Sequence, residues 1–321
     1  MLVAVDETGY FRDQSGEKIG LVTLVTVTDS EWSKFSSFIK KIIPSGVAGV
    51  KGRNLTREQR IKVLKYLGKK TEIRYTTFLY DLSSGADQWV KWHRDETIRK
   101  LESSVERMKD KLFPSYKKDI ELLRNQLRKL SLGDYAKFVM YTELLIAWQQ
   151  YFLFDYFYTH IGNDNWKMHH VLDMQNEPQK FLRLVRSFMI LTVNEQNPNY
   201  RIYTPAEWGK DHPFIIKHSM EGDINKQNGH IFYEDFRIGN EQTDTCLFLP
   251  DLVGYIIYTS ILKRNQKEWL KSLKRIRQNR SYTITTKHKD GYYHITGFDR
   301  AKNPYQVNKI IKEHWKLMKN I

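Results

Sequence analysis

Leu2-Val3-Ala4-Val5-Asp6-Glu7-Thr8-Gly9 begins with four apolar residues and then turns polar. The pattern predicts a β-strand over Leu2–Val5 with Asp6 at its end, Gly9 supplying backbone freedom to the turn that follows. Ile19 to Val27 is a second β-rich run. The turn chemistry of Asp13-Gln14-Ser15-Gly16 between them predicts a hairpin. Ser30 is expected to cap a helix over 31–42, stopped by Pro44, and Thr56 to start another that runs to Gly68 with Glu58 in its first turn. Alternation over Glu72–Leu79 predicts a third strand.

The character changes between Ala86 and Leu132. Ile98, Leu101, Val105, Met108 and Leu112 repeat at helical spacing, as do Ile120, Leu123, Leu127 and Leu130, with Pro114 between the sets. This predicts an antiparallel helical hairpin with a coiled-coil-like seam, projecting as an insertion. Asp134 is read as the cap of a long aromatic helix over 135–160. Met168–Asp173 reads as a strand ending in a carboxylate, followed by a helix from Pro178 to Leu191. Arg201–Thr204 and Ile231–Phe236 are candidate strands. Pro250 and Asp251 open an apolar helix, Leu252–Leu262, expected to continue as a basic stretch to Arg280. Ser281–Phe298 reads as a hairpin around Lys289-Asp290-Gly291, and a basic helix over 304–320 follows. The order implies a mixed α/β layer architecture: a core of residues 1–85 and 133–262, the hairpin insertion 86–132, and a basic C-terminal extension 263–321.

The chain has 321 residues and a formal charge of +15, which argues for a polyanionic partner, above all nucleic acid. A single cysteine, Cys246, excludes a disulfide scaffold and a cysteine-based zinc site. The acids Asp6 and Glu7 argue against a signal peptide. The apolar stretch Leu144–Ile161 carries Gln149, Gln150 and Asp155, so it reads as a buried helix and not a membrane span. A cytoplasmic protein with no membrane association is the expectation. No Gly-x-x-x-x-Gly-Lys-Ser/Thr, Gly-x-Gly-x-x-Gly or Gly-x-Ser-x-Gly run occurs, which argues against P-loop, dinucleotide and serine-hydrolase chemistry.

Position makes three acids candidates for chemistry. Asp6 ends the first predicted strand, Asp173 ends a later one, and Asp251 opens a helix. Ligand sites in α/β sheets lie outside strand ends, so the three are expected to converge. Clustered carboxylates repel, and a hard divalent cation, Mg²⁺ or Mn²⁺, resolves that conflict. Two such ions can activate water and stabilise a leaving oxygen in phosphodiester cleavage. Each acid alone also fits a blander role, as a polar residue where a strand leaves the core or as a helix-dipole partner.

The run Val5-Asp6-Glu7-Thr8-Gly9 resembles the opening Asp-Glu-Ser-Gly of the family known as domain of unknown function 3800, of the ribonuclease H-like superfamily. Val50-Lys51-Gly52 is similar to its Glu-Lys-Gly segment, His170-Val171-Leu172-Asp173 to its central strand, and Leu249-Pro250-Asp251-Leu252-Val253-Gly254-Tyr255 to its closing helix. The resemblance implies a ribonuclease H-like mixed sheet flanked by helices, with Asp6, Asp173 and Asp251 as metal ligands and Glu7 beside them. Thr8 keeps the hydroxyl of the family's Ser, whereas Val50 lacks the carboxylate of its Glu. Glu143, on a partly apolar helix face, is a further candidate ligand, with Asp155 its competitor.

His169 and His170 are adjacent on a strand and so point to opposite faces, unsuited to one metal. His212, His218 and His230 are candidate proton shuttles. From Lys263 to Arg280 eight cations face one acid, Glu268; Lys263, Lys267, Lys271 and Lys274 share a helical face suited to a phosphate backbone. Lys51 is expected to contact substrate phosphate. The function this predicts is a divalent-metal-dependent nuclease acting on RNA or DNA. The alternative is a catalytically inactive nucleic-acid-binding subunit of a larger complex, with the helical hairpin as its protein-docking arm. A pure interaction scaffold leaves the charge unexplained.

Overall fold

The computed structural model describes residues 1–9, 19–69, 73–81, 86–107, 114–151, 169–173, 178–192, 215–217, 225–227, 235–240, 242–263, 277–284 and 295–298. In chain order the elements are β1 (Leu2–Gly9), β2 (Ile19–Val27), α1 (Asp29–Ile42), a 3₁₀ turn (Gly52–Asn54), α2 (Arg57–Leu67), β3 (Ile73–Asp81), α3 (Ala86–Arg107), α4 (Pro114–Lys129), α5 (Leu132–Tyr151), β4 (His169–Asp173), α6 (Pro178–Thr192), β5 (Ile215–Lys217), β6 (Asn225–Gln227), β7 (Asp235–Gly239), α7 (Phe248–Lys263), β8 (Arg277–Ile284) and β9 (Ile295–Phe298). The predicted strand over 201–204 and helix over 304–320 lie outside the described residues. The chain is an α/β protein, and it divides into two compact units. One holds the described residues of Met1–Val90, His170–Gln175 and Arg237–Ile321; the other holds those of Lys91–His169 and Asn176–Phe236.

The first unit is built on a mixed sheet in the order β7-β4-β1-β2-β3-β8-β9. β1, β2 and β3 form an antiparallel meander, β3 pairs parallel with β8, and β8 pairs antiparallel with β9. Register and the two-residue alternation of strands place Ala4, Asp6, Thr23, Val25, Tyr75 and Thr77 on one face, all of them buried. Against that face pack Phe35 and Ile39 of α1, Val63, Leu64 and Leu67 of α2, and Leu249, Leu252, Val253 and Ile256 of α7. Val3, Val5, Val22, Leu24 and Phe78 on the opposite face are also fully buried.

β1 runs four residues beyond the predicted strand. Asp6, Glu7, Thr8 and Gly9 read as a turn from their polarity, but the β2 ladder pairs each of them, Asp6 with Thr23 and Gly9 with Gly20. Asp6 is therefore inside β1 and not at its end. The basic helix expected to reach Arg280 is corrected at its end: Arg277 to Arg280 belong to the strand Arg277–Ile284 beside β3, and residues 264–276 lie outside the described ones. The aromatic and β-branched residues Tyr282, Thr283 and Ile284 favour that state. The predicted hairpin closing on Phe298 is present, and it extends the main sheet.

The second unit contains the helical hairpin. Glu102 of α3 meets Arg124 (3.8 Å) and Arg128 (2.5 Å) of α4, and Arg94 donates to the Leu130 carbonyl at 3.2 Å, so the two helices run antiparallel. α4 and α5 both pack on α6 in the same unit. The unit is thus larger than the predicted 86–132 insertion, because α5 and α6 join it. β5 and β6 form a separate two-stranded sheet. Among the described residues, no helix is long and apolar enough to cross a membrane.

Helix starts test the reading of caps. α2 begins with the predicted Thr56, whose hydroxyl accepts from the Gln59 N–H at 3.2 Å while Gln59 Oε1 accepts from the Thr56 N–H at 3.0 Å. α5 is capped by Ser131 and not by Asp134: Ser131 Oγ accepts the Asp134 N–H at 3.1 Å. α1 is capped by Thr28 and not by Ser30, with Thr28 Oγ1 accepting the Glu31 N–H at 3.3 Å. Thr28→Ala is therefore expected to cost about 1 kcal/mol in urea unfolding, and Ser30→Ala clearly less. Equal losses would refute the assignment of the cap.

Candidate active site

Asp6 lies on β1 and is 3% exposed, its Oδ1 accepting the Glu7 N–H at 2.7 Å. Thr23 is its cross-strand partner and Thr77 stands next along the same row. The row is polar in a face that is otherwise apolar. Thr23 Oγ1 is buried and has no hydrogen-bond partner. α7 crosses this face closely. A Cβ on Gly254 would stand 2.6 Å from Thr8 Oγ1 and 3.1 Å from Thr23 Oγ1, so a side chain there would force the Thr8 hydroxyl to move.

Asp251 stands in the first turn of α7, three residues before Gly254 and about 4.5 Å from it along the axis. Its Oδ2 accepts the Gly52 N–H. A Cβ on Gly52 would lie 2.8 Å from Leu252 Cα and 3.1 Å from Asp251 Oδ2, so the loop backbone rests directly on the helix. Burial raises the Asp251 carboxyl above its ordinary value, against the downward pull of the Gly52 hydrogen bond and the Lys51 and Arg53 charges. Three stretches distant in sequence, Asp6–Gly9, Lys51-Gly52 and Asp251–Gly254, thus meet around one end of α7.

Asp173 is the last residue of β4, the strand next to β1, and its side chain lies outside the described ones. Glu7 pairs with Val22 and, by strand alternation, points to the face opposite Asp6; the regular ladder does not bring it beside Asp6. Among the described residues no group of three or more His, Cys, Asp or Glu side chains is placed to hold a metal ion. Lys263 ends α7, while Asp155, Lys267, Lys271, Lys274, His212, His218 and His230 lie outside the described residues. His169 is hydrogen-bonded to Asp235, its neighbour in the second unit. Arg60, buried and donating to the Arg53 and Leu55 carbonyls, was not legible as a site residue: one arginine in an amphipathic helix carries no signal.

Glu143 is in the second unit, on α5. Burial alone pushes its carboxyl up to about 7. Eight residues before it, Tyr135 is fully buried; its hydroxyl donates to Thr97 Oγ1 at 3.1 Å and sits 2.9 Å from Nδ1 of His93, whose pKa burial lowers to about 4.

No protein-family model matches the chain, and neither a curated protein nor a solved structure matches it.

Two predictions follow from the packing and the charge. Gly52→Ala is expected to destabilise the fold by about 1–3 kcal/mol, because the added methyl meets helix backbone that cannot yield; a wild-type melting temperature would contradict the close approach. For Glu143 the folded pKa lies above the unfolded one, so its stabilising contribution is full below about pH 4.5 and is lost as pH rises through 7. Glu143→Gln should therefore stabilise the chain by about 2 kcal/mol at pH 8, allowing for the part of the side chain that stays accessible, and do nothing near pH 4. Equal shifts at both pH values, measured in chelator, would contradict it.

Proposed function

We propose that the chain is a ribonuclease H-like nuclease that hydrolyses phosphodiester bonds of RNA or DNA with Mg²⁺ or Mn²⁺. The convergence of the Asp6–Gly9, Lys51-Gly52 and Asp251–Gly254 stretches on one end of α7 carries this reading, because the motifs of the family resemblance are also the segments that pack together. The donor chemistry fits a hard cation. Asp6 and Asp251 are carboxylates held in a largely apolar layer, and Thr23 adds a buried hydroxyl without a partner directly across the ladder from Asp6.

In this reading Asp6, Asp173 and Asp251 hold the metal, which when bound supplies Lewis-acid activation of water and charge stabilisation on the leaving oxygen. The Gly52 N–H fixes the Asp251 carboxylate by occupying one oxygen and leaving the other available. Lys51, next to Gly52, neutralises charge on the scissile phosphate. The cations Lys263, Lys267, Lys271 and Lys274 hold the substrate backbone away from the reacting bond. Val50, where the family has a glutamate, favours a second reading: a nucleic-acid-binding subunit without catalysis.

Asp6→Asn and Asp251→Asn separate the two. Each is expected to lower metal-dependent cleavage by more than the roughly 100-fold that loss of a supporting hydrogen bond can cost, while oligonucleotide binding persists. Cleavage that continues in chelator, or wild-type rates from either variant, would overturn the nuclease assignment.

A further inference from the structure

We infer that Arg53 is a phosphate contact for a bound nucleic-acid strand and that Arg60 is the residue that positions it. The inference takes its ligand class from the nuclease reading. Its geometry is independent of catalysis.

The Gly52 N–H is bound to Asp251, and the lack of room for a Cβ at Gly52 keeps the loop seated on the helix. Lys51 and Arg53, which flank Gly52 in the chain, are therefore held near Asp251, and both cations act on its carboxylate. Arg53 is exposed, and among the described residues no ion pair engages its guanidinium. Arg53 therefore presents positive charge to solvent beside the loop. A phosphate diester is complementary to it, and a planar guanidinium binds phosphate oxygens with two parallel hydrogen bonds.

The loop is held from beneath. Arg60 of α2 is 7% exposed; its Nη2 donates to the Leu55 carbonyl at 3.0 Å and to the Arg53 carbonyl at 3.4 Å. The same guanidinium lies over the ring of Tyr255, 5.0 Å from its centroid. Tyr255 is one helical turn beyond Asp251 on α7. Arg60 thus ties the carbonyl side of residue 53 to the helix that carries the carboxylate. A lysine keeps the charge but cannot reproduce this fork and ring contact together.

The test is binding of a fluorescein-labelled single-stranded RNA and its DNA counterpart to the full chain, in EDTA, over a range of salt. Arg53→Gln is expected to flatten the slope of log affinity against log salt by about 0.7, and so to weaken binding about fivefold at 0.1 M salt, alike for every sequence tried. Lys62→Gln, which removes a cation paired with Glu58, should leave the slope unchanged. Arg60→Lys should reproduce the Arg53→Gln loss although it conserves charge, and the double variant should lose no more than Arg53→Gln alone; a merely structural Arg60 would change melting temperature without moving the salt slope. A wild-type slope in Arg53→Gln, or losses that add in the double variant, would overturn the inference even in a chain that cleaves. A chain that binds through Arg53 yet never cleaves with metal would overturn the nuclease reading and leave this one standing.

Discussion

The seating of the Lys51–Leu55 loop on the first turn of α7 is the contact on which the rest of the first unit's site depends. It needs a glycine, because a side chain at position 52 would collide with the Leu252 backbone. Once the loop is seated, the Gly52 N–H donates to Asp251. The same helix meets the sheet at a second glycine, Gly254, which lets Thr8 and Thr23 approach its backbone. Two glycine-sized contacts, about one helical turn apart, thus fix α7 against a loop on one side and a sheet on the other. Side chains between them, Leu252 and Val253, fill the layer shared with α1 and α2.

This close packing explains why polar groups persist inside an apolar layer. Along the sheet face under α7, α1 and α2 the rows read Leu2–Val27–Ile73, Ala4–Val25–Tyr75 and then Asp6–Thr23–Thr77. The first two rows feed the core, and the third interrupts it with a carboxylate and two hydroxyls, each at most 3% exposed. Buried polar atoms are normally satisfied, so the unpartnered Thr23 hydroxyl beside a buried aspartate is unusual. Local consistency breaks in one row, and such breaks concentrate where a protein has something to bind.

Much of this architecture was legible because it follows from local chemistry. Thr56 starts α2 as its residue type implies, and of the expected seam Ile98, Ile120, Leu123 and Leu127 are buried while Leu101, Val105 and Leu130 are half-buried. What was not legible depends on partners remote in sequence. Asp6-Glu7-Thr8 has turn composition, yet the β2 ladder holds it extended, which moves Asp6 inward and turns Glu7 to the other face, while Gly9 has the positive φ of 89° that its expected freedom allows. Arg277–Arg280 reads as the end of a basic helix, yet these residues lengthen the expected strand from Ser281 along the edge of β3. The choice of Thr28 over Ser30 turns on a two-residue shift in where α1 starts, which composition does not fix. Asp251 is legible through its position and Gly52 through the Lys-Gly segment of the resemblance, while Arg60, which ties that loop to α7, carries no mark of its role in the sequence.

The charge on Asp251 is the least expected property of α7. From Phe248 to Leu262 it is the one ionisable acid or base in a helix that is otherwise apolar or hydroxylic, tyrosines aside. Folding asks only for an acceptor there, to take the Gly52 hydrogen bond. An asparagine oxygen would serve, without the desolvation that raises the aspartate's pKa. At Asp251 burial penalises the negative charge, and packing requires only an acceptor. A group whose ionised form is penalised by the fold, and which the fold nevertheless orients, fits a ligand carrying positive charge better than it fits a structural strut.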